Sequence, residues 1–269
     1  MAVSYTLARP SQPAQDRLSV AALDAYVNPL ILIPARMAAT RLPDKPLADI
    51  GGVPMIVRAW RQAVLSGLPV AVAAGDPEIV TAIESAGGVA VLTDPDLPSG
   101  SDRIRAALEV IDPDGRHDAV INLQGDMPFA DPGLARVCAD LLVTEPACDI
   151  ATLIAPEADV SDRSNPDVVK AVVALAADGQ HGRAHYFTRS TLFGEGPVWR
   201  HIGLYGYRRA ALERFCAAPP SPLERREKLE QLRALEMGLQ IWAAVIDEAP
   251  LSVDNPDDLA AARALAGRD

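Results

Sequence analysis

The sequence lacks what would tie it to an oxidising compartment, a bilayer or a polyanion. Its three cysteines, Cys138, Cys148 and Cys216, form no CxxC and have no histidine near enough for a metal-ligand spacing. They read as ordinary reduced side chains of a cytoplasmic protein. No apolar run approaches the roughly 20 residues of a membrane span. Residues 1–28 contain no unbroken apolar h-region of the secretory kind. Positive charge is also scarce. With 25 Lys and Arg against 36 Asp and Glu, the formal net charge is -11, which argues against sequence-independent nucleic-acid binding. No GxGxxG, P-loop, HExxH or Ser-His-Asp arrangement is present, so nucleophilic catalysis has no support.

What is present is a globular chain of 269 residues, 49% hydrophobic, long enough for one large α/β domain. Residues 1–28 read as an N-terminal extension with a short helix over 20–26, and 29–269 as a single domain. Against the acidic average stands one stretch, residues 31–45, ILIPARMAATRLPDK. A buried strand over 30–33 stops at Pro34, and Arg36, Arg41 and Lys45 follow with no acid before Asp44. Basic side chains leaving a central strand suit an anion such as a phosphate chain, held by Arg forks and a Lys point charge. Taken alone, three cations in a loop equally describe a solvated surface.

Beyond this loop, a helix from Pro54, a strand over 70–74, a helix over 77–86 and a strand over 89–92 alternate with short connections. That alternation predicts a mostly parallel, twisted sheet flanked by helices. Ser99-Gly100 opens another helix, where a serine caps the helix or a glycine loop cradles a nucleotide; spacing alone does not decide. In the stretch 119–128 a buried strand runs out into Gln124-Gly125-Asp126, and Pro128 closes the turn. Asp126 reads either as a turn aspartate or as a Mg²⁺ anchor, since Mg²⁺ takes one or two carboxylates with phosphate and water. From about 156 the pattern changes, and 156–208 predicts a smaller antiparallel subregion. A capping box, Ser221-Pro222-Leu223-Glu224, starts a helix expected to run towards Gly238. Asn255 and Asp258 cap the last helix, so Asp254 has no capping duty and is a candidate second Mg²⁺ ligand.

Eight blocks now stand in order: IPAR..ATRLP.KPL (33–47), SG.DR (99–103), QGD.P (124–128), NPD.VK (165–170), YFTR (186–189), HIGLYGYR (201–208), SPLE..E.LEQLR (221–233) and VD.P.DL (253–259). Over 30–265 the chain resembles the 3-deoxy-manno-octulosonate cytidylyltransferases, or CMP-Kdo synthetases. The resemblance implies a nucleotide-diphospho-sugar-transferase-like variant of the Rossmann architecture. It also implies a Mg²⁺-dependent attack of a sugar acid's anomeric hydroxyl on the α-phosphorus of CTP, giving CMP-sugar and pyrophosphate, in a homodimer built partly from 156–208. On that basis Ala35, Arg36, Arg41, Lys45, Ser99, Gly100 and Gln124 look like the nucleotide side. Arg36, Arg41, Lys45 and Asp126 look catalytic, and Asp126 and Asp254 look like the metal ligands. Gln124, Arg189, His201, Tyr205, Glu230 and Gln231 look like the acceptor side, with Arg189 suited to a carboxylate. Where this family usually has an aromatic, Gly and Glu, the chain has Met37, Asp44 and Met127. Its segment between Arg189 and His201 is shorter, and Leu251-Ser252 replaces Gly-Thr. These departures leave open another small acid, such as a phosphonate, as acceptor, or a nucleotide-binding protein without turnover.

Overall fold

The computed structural model describes residues 27–38, 42–157, 159–194 and 196–267. Most of the expected extension, its helix at 20–26, and Arg41 lie outside them. Val27 is buried, and Asn28 donates through its backbone to Asp118 Oδ1 and through its side chain to Arg116 O, so from here the chain is tied to the domain. No helix among the described residues is long and apolar enough to cross a membrane.

The elements in chain order are β1 (Pro29–Ala35), β2 (Asp49–Ile50), β3 (Val53–Pro54), α1 (Met55–Leu65), β4 (Val70–Ala74), α2 (Pro77–Ser85), β5 (Ala90–Leu92), α3 (Gly100–Ile111), β6 (Ala119–Asn122), α4 (Gly133–Thr144) and β7 (Ile150–Pro156). After them come β8 (Lys170–Leu175), β9 (His181–Thr188), β10 (Trp199–Arg208), α5 (Arg209–Ala217), α6 (Pro222–Glu227), α7 (Gln231–Glu236), β11 (Ile241–Val245) and α8 (Pro256–Ala266). β2 and β3 form a small hairpin. The others make one sheet in the order β5-β4-β1-β6-β10-β7-β11-β9-β8.

β1 pairs in parallel with β4 and β6, β4 with β5, and β7 with β11. β10 runs antiparallel to β6, β7 and β8, and β9 runs antiparallel to β11 and β8. β1 shows why an unbroken apolar run makes a central strand. Ile31 and Ile33 enter one core with Ile56, Ile121 and Leu153; Leu30 and Leu32 enter the other with Phe187, Phe215 and Leu232. Both faces are covered, so no polar alternation is needed.

The helix expected from Ser221 towards Gly238 is two helices. The capping box is present, with Ser221 Oγ accepting from Glu224 N and Glu224 Oε2 from Ser221 N. Yet Lys228, at φ 55 and ψ 44, ends α6 in the left-handed region. The break turns Glu230 towards its i+3 neighbour Arg233 and towards Ser101, a tertiary partner that overrides the helical periodicity. Leu229 and Leu232 are buried as expected.

Candidate active site

The parallel strands β1 and β6 end side by side, and the loops that leave them wall a cleft of about 250 Å³. Ala35, Arg36, Lys45, Ser99, Gly100, Gln124 and Asp126 all line it. Two glycines permit the walls to meet. A Cβ on Gly125 would lie 2.9 Å from Ile56 Cδ1 and 3.2 Å from the Pro34 carbonyl, and one on Gly100 3.3 Å from Pro34 Cγ. A side chain at Gly125 would push β6's exit loop off β1's.

Lys45 occupies the floor. Its Nζ lies 2.8 Å from Asp126 Oδ2 and 3.0 Å from Asp254 Oδ1. Burial works to lower its pKa, but the two carboxylates outweigh that and raise it, so the ammonium is charged. Val253 N donates to Asp126 O at 2.9 Å, which brings the segment before α8 against the loop after β6. Asn255 Oδ1 accepts from the Asp257 and Asp258 amides, and Asp258 Oδ2 accepts from the Asp254 amide, so the cap is complete without the Asp254 carboxylate. Asp126 Oδ1 is buried and has no hydrogen-bond partner among the described residues. No group of three or more His, Cys, Asp or Glu able to hold a metal occurs among those residues. The convergence is therefore a carboxylate pair, which fits a divalent ion that completes its shell with phosphate and water.

Ser99 does cap α3: its Oγ accepts from Asp102 N at 3.1 Å and donates to Asp102 Oδ2 at 2.7 Å. That contact leaves Ser99 on the cleft wall beside Gly100, so capping and lining are compatible. Arg36 is exposed at the mouth.

The acceptor-side candidates divide. An aromatic ladder runs from Phe187 on β9 along β10, through His201 (4.8 Å), Tyr205 (5.5 Å) and Tyr207 (5.8 Å), to Phe215 on α5 (6.2 Å). Burial holds the His201 ring neutral, with its pKa down at about 3, and pushes the Tyr205 phenol up. Thr152 Oγ1 has one proton and donates towards the Ile202 and Leu204 carbonyls at 3.1 and 3.0 Å. His201 Nε2 lies 3.0 Å from that oxygen. Glu230 accepts from Ser101 Oγ at 3.0 Å, in the first turn of the helix that Ser99 caps. Gln231 is buried. Gln124 Nε2 reaches back to Asn122 Oδ1 at 3.4 Å. Arg189 donates to Pro166 O at 2.9 Å.

A family model described as Cytidylyltransferase matches residues 30–241. The 3-deoxy-manno-octulosonate cytidylyltransferase of Parvibaculum lavamentivorans is 56% identical over 250 residues, 92% of this chain and 96% of its own length. That of Methylobacterium nodulans is 58% identical over 240 residues, covering 88% and 96%. This chain belongs to the 3-deoxy-manno-octulosonate cytidylyltransferase family. The solved structure of CMP:2-keto-3-deoxy-manno-octonic acid synthetase complexed with CTP superposes with a TM-score of 0.82 at 33% identity, covering 90% of this chain and 99% of that one. The protein is thus a nucleotidyltransferase enzyme.

Membership in this cytidylyltransferase family leaves several structural residues that sequence reasoning passed over. Asp76 stands where a helix cap is expected, but its Oδ2 accepts from Met37 N at 2.7 Å and so anchors the basic loop. Arg103 is 2% exposed and donates to Thr93 Oγ1 and the Asp94 and Pro95 carbonyls, holding the loop ahead of Ser99. Burial and then the neighbouring Arg36 lower its pKa. Lys170 is fully buried with Nζ on the Asn165 and Arg189 carbonyls, both at 2.8 Å. A charged side chain inside a motif block was the available signal for Arg103 and Lys170; Asp76 offered none. The departures also acquire reasons. Asp44 has φ 54 and ψ 24, a left-handed position that suits the Gly expected there and that Asp tolerates, and its side chain is exposed. Met127 is packed in the core, where a carboxylate would be desolvated.

Proposed function

We propose that this enzyme transfers the cytidylyl group of CTP to 3-deoxy-manno-octulosonate (Kdo), a polyhydroxylated sugar acid, with a divalent cation of the Mg²⁺ class. The observation that carries this reading is the convergence of Asp126 and Asp254 on the Lys45 ammonium at the floor of the cleft. Two carboxylates that share one cation at 2.8 and 3.0 Å already form an oxygen-lined seat. The buried, unpartnered Asp126 Oδ1 offers a further donor atom. Asp126 and Asp254 would hold the metal ion, which supplies neutralisation of phosphate charge when bound.

The chain's own residues do the rest by position and charge. Arg36 at the mouth and Lys45 on the floor hold the triphosphate, and we assign Arg41 to the same task. Ser99 and Gly100 seat the nucleoside against the start of α3. The acceptor's anomeric hydroxyl bonds the α-phosphorus as the α–β bridge breaks, its proton passes to water, and pyrophosphate leaves. No covalent enzyme intermediate is needed, since alignment and electrostatics lower the barrier. His201, held neutral by burial, suits a hydroxyl of the acceptor better than an anion. Arg189 is assigned to the acceptor carboxylate. We also assign the region 156–208 to a homodimer contact, supported by the exposed Val160, Val172 and Phe193.

The test follows pyrophosphate release from CTP and Mg²⁺ with Kdo, 8-amino-Kdo, sialic acid and simple phosphonates as separate acceptors. Release with Kdo is the expected result. Release only with a phosphonate would overturn the acceptor assignment while keeping CTP, and full rate after chelation would remove the metal.

A further inference from the structure

Glu230 is gripped from two sides by residues with no part in the chemistry above. Its Oε2 accepts from Ser101 Oγ and its Oε1 from Arg233 Nη2, each at 3.0 Å. Ser101 is 2% exposed and lies between Gly100 and the α3 interior.

Arg233, 5% exposed, is itself immobilised. Its Nε lies 3.0 Å from Glu224 Oε2, its Nη1 donates to Ala218 O at 2.9 Å, and its guanidinium stacks 4.3 Å above the Phe215 ring. Glu224 is in turn locked in the capping box with Ser221.

The bland account makes Arg233 a staple between α5, α6 and α7. Its contacts with Ala218, Phe215 and Glu224 fit that account, but the contact with Glu230 does not need it. An exposed i,i+3 pair is weak and loose, whereas here the guanidinium is stacked and buried, and its fork on Glu224, Nε to Oε2 at 3.0 Å and Nη2 to Oε1 at 3.2 Å, holds it so that Nη2 also meets Glu230. Glu230 keeps 32% side-chain exposure and borders a hollow of about 500 Å³ that shares Ser99 with the nucleotide cleft. A carboxylate has about four lone-pair sites, so one donor on each oxygen fixes its plane and leaves acceptor capacity towards that hollow.

We propose that Arg233 and Ser101 are positioning residues for the acceptor: they orient the Glu230 carboxylate so that its remaining lone pairs meet hydroxyls of the sugar acid. The proposal rests on the reading of Glu230 as an acceptor-side residue. Burial raises the Glu230 pKa, and the contacts with Ser99, Arg233 and Ser101 act against that rise.

Steady-state kinetics on the full chain with CTP, Mg²⁺ and Kdo test it, using Arg233→Met, Arg233→Lys, Ser101→Ala, Glu230→Gln and the Arg233→Met/Glu230→Gln double variant. Losing one charge-assisted contact should raise the Kdo KM about tenfold and leave the CTP KM within about twofold. The acid limb of kcat/KM for Kdo should move to higher pH in Arg233→Met, because Glu230 loses the cation that favours its charged form. Arg233→Lys should recover part of the loss, and Arg233→Met should add nothing to Glu230→Gln. Additive losses in the double variant, equal rises in both KM values, or an unmoved acid limb would overturn the proposal. Should Arg233→Met fail to fold by circular dichroism, Arg233→Lys and Ser101→Ala decide by the same criteria. An unchanged Kdo KM in Glu230→Gln would sink the acceptor-side reading itself; a raised one with silent Arg233 and Ser101 variants would sink the positioning role alone.

Discussion

The two halves of the site are built from opposite materials. At the ends of β1 and β6, parallel strands release polar loops, and the Lys45 ammonium lies within 3.0 Å of both the Asp126 and the Asp254 carboxylates. Along β10, antiparallel pairing sets rings in a row, and the titratable groups His201 and Tyr205 are kept neutral by burial. The first half is suited to a substrate dominated by phosphate charge, and the second to one dominated by hydroxyls. Glu230 is the contact between them, since Ser101 belongs to the helix that opens the nucleotide cleft.

Substitutions that separate the halves should do so by unequal amounts. Asp126→Asn removes a charge from the cation seat while keeping its shape. It should lower kcat about a thousandfold, by analogy with loss of a preorganised electrostatic group, with an unchanged melting temperature. Near-normal turnover would take Asp126 out of the site. His201→Phe keeps the ring's place beside Phe187 but deletes the ring nitrogens. It should raise the Kdo KM about tenfold, the worth of one hydrogen bond, and leave the CTP KM alone. A parallel rise in both would dissolve the distinction between the halves.

The same histidine makes a pH signature. The folded ring takes its proton only near pH 3, whereas the ordinary value is 6.5. Between those values the unfolded chain binds more protons, so His201 makes stability fall as pH falls through that window. Thermal melts from pH 7 to pH 4 should therefore drop less steeply for His201→Phe than for the parent. Equal slopes would contradict a buried neutral ring.

Two smaller effects concern backbone geometry in the nucleotide half. Gly125→Ala places a Cβ 3.2 Å from the Pro34 carbonyl and should cost about 1–3 kcal/mol, the usual range for overpacking, measured by denaturant unfolding. Asp44→Gly relieves a left-handed residue and should gain about 1 kcal/mol, with CTP kinetics little changed because the side chain is exposed. A large fall in the CTP KM would instead show that the Asp44 charge repels the nucleotide.

The first half was far more legible than the second. The basic loop, its strand and the caps at Ser99, Ser221 and Asn255 depend on neighbours a few positions away, so residue order exposes them. The break at Lys228 was not visible, because helical spacing continues through 229, 232 and 235 and only contacts with Ser101 and Arg233 end α6. Asp76 gave no signal; that its carboxylate serves the Met37 amide follows from β1 and β4 lying side by side. Nor could spacing show that Lys45 would sit between Asp126 and Asp254.

By itself, the order of residues determined the two-sided burial of β1, the placing of a basic loop at its end, and the family through eight motifs in sequence. Those properties are local, or accumulate along the chain. Tertiary structure alone decided which carboxylates share Lys45, that the His201 ring meets Thr152, and how Glu230 is gripped from α3 and α7. Each of these depends on a distance of about 3 Å between residues far apart in the chain, which the packing of the sheet and its helices sets.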